Sequence, residues 1–295
     1  MSPPKRPSRG KWTGWGFVGP FLVVFVFALV APVVYAVYLS VFQDRLIGGN
    51  RFAGLANYRL ALGDGQFWSA FGRVGLFLVV QVPVMLVLAL GVALALDSAR
   101  LYWPALYRLG IFLPYAVPAV VGALVWGFMY GTQFGLVGDV DRVLHARLPD
   151  PFSNSLVLGS VGNIVTWEYV GYNMLIFYAA LRVVPGELYE AAQLDGASAW
   201  RVVWHVKVPA LRPAVLVAAI FSIIGSFQLF NEPNILKPLS PDTISSYFTP
   251  NMYAYNLSFA GQEYNYSATV AVVMGVATMV VAYVVQRVVG RKLEA

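Results

Sequence analysis

Cysteine is absent from the 295 residues, and charge is scarce. The first absence excludes a disulfide framework and a thiolate metal site. The second excludes an ordinary soluble domain: 12% of residues are charged and 59% apolar, where soluble domains carry roughly 25% charge. Only two histidines occur, His145 and His205, and no H-E-x-x-H surrounds them. Gly196-Ala-Ser198-Ala-Trp200 is not G-x-S-x-G, and Gly10-Lys11 is followed by Trp12 rather than completing a Walker A loop. No catalytic or metal-binding set is expected. The net charge of +6 comes without a basic stripe interleaved with aromatics, so no nucleic-acid partner is expected either.

What the chain does have is six apolar runs: Phe17–Phe42, Val74–Leu96, Leu109–Tyr130, Leu156–Leu181, Ala214–Asn231 and Ala268–Gln286. Each is near the roughly 17–25 residues that a helix needs to cross a bilayer. Continuous runs, rather than alternating ten-residue segments, predict helices and not a barrel. The fold class expected is therefore all-α, an integral membrane bundle of about six transmembrane helices. Six spans put both termini on one side, and that side holds 13 of the 20 Lys and Arg residues. Positive charge marks the cytoplasmic side, so both termini and the segment 182–213 are expected in the cytoplasm of a multi-pass plasma-membrane protein. Residues 1–16 read as a cytoplasmic basic tail, and 17–295 as the membrane domain, in contact with lipid. Val34-Tyr35-Ala36 looks like a leader cleavage site, but a 26-residue apolar run is too long for a signal peptide, so the first span is expected to be retained. Pro83, Pro114 and Pro118 mark possible bends in the second and third spans. Aromatics in 43–73 point to a short helix in the membrane interface, and 131–155 reads as a polar loop.

The segment from Arg182 to Pro213 is a polar loop of 32 residues between two spans. Pro185-Gly186 breaks the incoming helix. Glu187 and Glu190 fall in the first turns of a new one, where carboxylates favour the positive end of the dipole. Ala191 and Ala192 are strong helix formers of little bulk, letting another surface come close. Asp195-Gly196 ends the helix, and Ser198 is an N-cap for a second. There Trp200, Val203, Trp204 and Val208 share a face, on which Lys207 would have to snorkel. Pro209 and Pro213 close the loop.

This spacing of Glu190-Ala191-Ala192, Asp195-Gly196 and Pro209, preceded by Val184-Pro185-Gly186-Glu187-Leu188-Tyr189, resembles the EAA loop of permease subunits in binding-protein-dependent (type I) carbohydrate ABC importers. Phe52–Tyr58 is similar to that family's early outer-loop motif, Trp167–Leu181 to the helix entering the loop, and Ser226–Pro233 to the end of the fifth span, most of all in maltose-permease F-like members. Val206 and Val208 stand where the family more often has Ile and Leu, and Pro238-Leu-Ser-Pro241 where a Gly-Gly-Pro is common. The resemblance implies the type I ABC importer permease fold, a second permease subunit, two ATPase subunits holding ATP and Mg, and an extracytoplasmic solute-binding protein delivering a sugar. No cofactor would bind this chain. Glu190, Ala191, Ala192, Asp195, Gly196 and Pro209 would couple to the ATPase.

Sugars are held by hydroxyl, amide and aromatic groups. Inside the spans these are Tyr172, Asn173, Ser222, Ser226, Gln228 and Asn231, with Ser222 and Ser226 at i and i+4. Positions 172, 222 and 226 correspond to the sugar site of maltose-type permeases in the resemblance. Such residues also serve as helix–helix hydrogen bonds in membranes. Glu168 is the one acid within the six runs, and an intramembrane acid is a functional candidate by default. It would be the proton site in the rival reading, a proton-coupled secondary carrier, which has no need of the 182–213 loop.

Overall fold

The computed structural model describes residues 10–45, 49–98, 102–145 and 148–294. It is a helical bundle whose centre is the helix Val157–Leu181, packed against the second, third and fifth spans. Among the described residues, four helical segments are long and apolar enough to cross a membrane: Trp15–Ser40, Gly65–Leu96, Arg212–Leu239 and Tyr264–Val288. A fifth is made of two helices, Pro104–Ala116 and Ala119–Met129, meeting at 95°. Val157–Leu181 has the length but not the apolarity, because Ser160, Asn163, Thr166, Glu168 and Asn173 interrupt it. A helix enclosed by the other spans needs no lipid-compatible surface all round, so it can carry them.

Several boundaries differ from the sequence reading. The second span starts at Gly65, where Asp64 caps it by accepting from the backbone N–H of Gln66 and Phe67. Pro83 leaves that helix unbroken, whereas Val117-Pro118 turns the third span sharply. Phe42–Arg45 and Gly49–Phe52 pair as two short antiparallel strands ahead of the expected interfacial helix, Ala56–Gly63. Asn57 locks this region: it is buried and donates to the carbonyls of Ser40 and Phe42. The 131–155 segment contains a helix, Leu136–Leu144. The sixth helix runs past Gln286 to Glu294. Helix begins at Gly10, inside the expected tail, and residues 1–9 of that tail lie outside the described residues.

Two of the four apolar clusters bear on the site. Phe77, Tyr130, Val161, Ile164, Leu236 and Met252 form one cluster. Ala89, Ala93, Met174, Phe177, Leu181 and Leu211 form another, toward the 182–213 end. Small residues matter because lipid offers no hydrophobic gain for helix association, leaving close van der Waals packing to do it. Gly171 shows this between helices: a Cβ there would run into the backbone carbonyl of Ile111. The first span is the opposite, with none of its apolar window buried against the rest of the chain.

Candidate functional site: a mid-bundle cavity and the 182–213 loop

A cavity of about 370 Å³ lies beside the central helix. All six residues singled out for a sugar path line it: Tyr172, Asn173, Ser222, Ser226, Gln228 and Asn231. They come from two elements, and two backbone interruptions shape the space. The fifth span stops being α-helical at Gln228 and resumes at Asn231. The third span passes through a 3₁₀ turn, Leu113–Ala116, which brings Tyr115 to the wall. Irregular backbone at membrane depth is tolerated where protein or a wet cavity receives its polar groups.

The lining groups are not equally free. Ser226 is buried and spends its hydroxyl on the carbonyl of Ser222 at 2.8 Å. Asn173 donates to the carbonyl of Tyr169 at 3.0 Å and to the sulfur of Met85. Both act first within the bundle. Gln228 and Asn231 are exposed, Tyr172 and Ser222 half-buried, so these four are available to a guest. Tyr172 stacks on Tyr115 with ring centres 4.9 Å apart and planes at 19°. Tyr169 meets the same ring edge-on at 5.7 Å. The wall is thus aromatic, of the kind that covers apolar C–H patches.

Glu168 is buried, 3% exposed, and no N–H or hydroxyl donates to either carboxyl oxygen. It does not line the cavity itself. Glu232, on the fifth span, does line it and is 6% exposed. The sequence reading missed Glu232 because it ended the fifth span at Asn231, one residue short; the acid was legible within Ser226–Pro233. Tyr115, Tyr169 and Gln81 were also missed. Gln81 and Tyr115 sit on other spans, and their proximity is a product of helix packing and of the bend, whereas Tyr169 lies on the fourth span itself, one turn before Tyr172.

The loop follows its expected course in the first half. The helix Gly186–Leu194 starts after Pro185 and ends at Gly196, whose φ is +72°. The N–H of Asp195 bonds the carbonyl of Ala191, and that of Ala197 the carbonyl of Ala192. Ser198 caps the next helix by accepting from the N–H of Arg201. Glu190, Ala191, Asp195 and Gly196 face outward, Ala192 and Pro209 only partly.

In the second half the expectation fails twice. Pro209 and Pro213 do not end the helical course: a wide π turn at Val203–Lys207 leads through Val208–Ala210 into the fifth span with one turn residue, Leu211. A π turn bonds residues five apart, so register shifts before the proline that lacks a donor. Lys207 does not snorkel. Its ammonium donates to Asp97 at 2.6 Å, with side chains only 15% and 10% exposed, and sits 5.4 Å from the ring centre of Tyr189. Burial, with the Asp97 carboxylate behind it, pushes the Tyr189 phenol above its ordinary pKa. The loop is therefore tied to the foot of the second span, while Trp200 and Trp204 remain exposed.

Comparison with known proteins matches residues 58–295 to the family described as binding-protein-dependent transport system inner membrane component. Among curated relatives, the lactose transport system permease protein LacF of Rhizobium radiobacter is 31% identical, over 92% of this chain and 91% of its own length. The diacetylchitobiose uptake system permease protein NgcF of Streptomyces coelicolor is also 31% identical, over 95% and 84%. Among solved structures, a bacterial ABC transporter involved in import of the acidic polysaccharide alginate superposes with a TM-score of 0.83 over 96% of both chains, at 17% identity. The same kind of transporter in complex with an alginate pentasaccharide-bound periplasmic protein gives 0.81 over 97% of both, at 18% identity.

Proposed function

This chain belongs to the inner-membrane components of binding-protein-dependent transport systems, and from that premise we propose that it is the permease subunit of an ATP-driven importer of a sugar or oligosaccharide. The observation that carries the sugar reading is the convergence of Tyr172, Ser222, Gln228 and Asn231 on one aromatic-walled cavity where two spans are interrupted. The relatives named for lactose and diacetylchitobiose support the same substrate class.

A solute-binding protein delivers the sugar from outside, as the periplasmic partner of the alginate transporter supports. A second permease subunit completes the path across the membrane. Two separate ATPase subunits, holding ATP and Mg, dock on 182–213 in the cytoplasm, where both termini also lie. Glu190 is the polar contact in the ATPase cleft, Ala191 and Ala192 the close-packed face, Asp195 and Gly196 the turn, and Pro209 the link onward to the fifth span. Closure of the ATPase dimer pulls this loop, and the Asp97–Lys207 pair passes the pull to the second span as well as to the fourth and fifth.

The test is energetic. In cells carrying the full transporter, uptake should persist when the proton gradient is collapsed with ATP maintained, and stop when ATP is depleted. The reverse pattern would identify a proton-coupled carrier and make Glu168 its proton site.

A further inference from the structure

We propose that a second cavity, of about 660 Å³, is the outer segment of the sugar path, a hydrated passage closed from the mid-bundle cavity by Phe77, Gln81 and Thr166. This rests on the sugar-path reading and extends it.

On the fourth helix this cavity occupies the end away from the 182–213 loop, from Val157 to Thr166. On the second span it runs from Arg73 to Leu88. That stretch rises roughly 22 Å at 1.5 Å per residue, most of a hydrocarbon core of about 30 Å. Phe77 and Gln81 belong to the walls of both cavities. Both side chains are buried, and Gln81 donates its amide N–H to Oγ1 of Thr166 at 3.2 Å. Gly162 permits the approach, since a Cβ there would press on Cγ of Gln81 at 3.3 Å. One ring and one hydrogen bond thus separate the two spaces.

The lining argues against lipid as the occupant. Asn163 is exposed within a membrane-length helix, and hydrocarbon has no group to hydrogen-bond an exposed amide. Ser155 and Thr243 add hydroxyls, and Arg73 puts a full charge on the wall, which water solvates and lipid does not. Facing them, Leu76, Val80, Val84 and Leu88 repeat every fourth residue along the second span. A polar wall opposite an apolar one meets both the hydroxyls and the C–H faces of a sugar ring. Contact on one side only holds the ring weakly enough to let it leave, as conduction requires. Gly159 is exposed on the polar wall, and a Cβ there meets nothing within 4 Å. The passage can therefore be plugged without disturbing the packing.

The test is access of a charged thiol reagent, sulfonatoethyl methanethiosulfonate, to single cysteines placed in this cysteine-free chain. The full transporter is kept in sealed membrane vesicles of either orientation, with and without ATP, and labelling is read on this chain after the subunits are separated. Asn163→Cys should label from the extracytoplasmic side at least tenfold faster than Val79→Cys, an exposed position outside the cavity. Gln228→Cys, in the mid-bundle cavity, should also label from that side, and adding Gly159→Trp should slow it at least tenfold. Gly159→Leu should slow it less. Gly72→Trp, at an equally open glycine away from the cavity, should not slow it. Thr166→Val, which removes the partner of Gln81, should speed it; an unchanged rate would strike that bond from the closure. Asn163→Cys as slow as Val79→Cys shows a cavity filled by lipid or by a partner helix, and overturns the outer segment. So does Gln228→Cys reached only from the cytoplasmic side, or reached from outside at an undiminished rate beside Gly159→Trp; the sugar path then stands without this segment. Gln228→Cys beyond reach from both sides, with ATP present or absent, overturns the sugar path and the outer segment together.

Discussion

The 182–213 loop and the cavity are built in opposite ways. The loop is one continuous stretch whose residues contact their neighbours in sequence: Ser198 caps Arg201, and Ala191 and Ala192 receive the N–H groups of Asp195 and Ala197. The cavity draws on the second, third, fourth and fifth spans, with Gln81, Tyr115, Tyr172 and Glu232 far apart in sequence. One is a surface whose shape is local; the other is a space whose shape belongs to the packing. Damage to the first should uncouple a transporter that still folds. Damage around the second should either disturb folding or weaken the path by degrees.

The widest separation between the two regions is expected from Glu190→Lys. It should abolish uptake while leaving membrane abundance near wild type, because the side chain is exposed and makes no contact the bundle needs. Gly196 sharpens the point. Its φ of +72° strains any side chain, yet a Cβ there meets nothing within 4 Å. Gly196→Asn, which accepts positive φ, should transport far better than Gly196→Val, at equal abundance. Similar uptake by both would make docking contact, rather than backbone shape, the property that glycine supplies.

Gly171→Val probes the other side of the comparison. The added carbon enters the Ile111 backbone, and overpacking of this kind costs about 1–3 kcal/mol. Abundance and melting temperature of the purified transporter should both fall, before any effect on coupling can be read.

Next in size is the link between the regions. Asp97→Asn or Lys207→Met should each lower stability by about 1–3 kcal/mol, below the full penalty for a buried pair because both groups keep some solvent. The exchange Asp97→Lys with Lys207→Asp should restore part of it. If ATPase activity loses its dependence on transport substrate in the single variants, the pair couples as well as stabilises.

Cavity residues should show smaller, graded losses. Tyr172→Ala should hurt uptake most and Ser222→Ala less, a lost hydrogen bond being worth about 0.5–1.5 kcal/mol. Ser226→Ala should do least, since its hydroxyl already serves Ser222. Uptake rates at subsaturating sugar check the order.

The smallest effect lies away from both regions. Asp64 accepts from the hydroxyls of Tyr253 at 2.5 Å and Tyr266 at 2.6 Å. Burial would raise its pKa, but these bonds and the N–H groups of Gln66 and Phe67 outweigh it and hold the value below 3.8. A carboxyl lowered on folding stabilises above its unfolded value and loses that contribution as pH falls through the folded one. Melting should therefore be flat from neutral pH down to about 4 in this respect, then drop more steeply in wild type than in Asp64→Asn.

The contrast also governs what could be read from sequence. Six apolar runs, the break at Pro185, the turn at Gly196 and the cap at Ser198 are local events, and local spacing reveals them. The cavity residues on the fourth and fifth spans were found by chemistry alone, as polar groups in apolar runs. Tyr115 was not, because nothing along the chain says that Val117-Pro118 will fold the third span back by 95°. Asp97 and Lys207 are 110 residues apart; a lysine on an apolar face looks like a snorkelling residue until its partner is in view. The hairpin at 42–52 carries no strand alternation strong enough to stand out beside the long helices.

Gly171 has a mechanical side. By letting the fourth helix seat directly on the Ile111 backbone, it leaves no slack between that helix and the first limb of the bent span. The right-angle corner is then a bracket bolted to a post, and Tyr115 is the arm it holds over the opening.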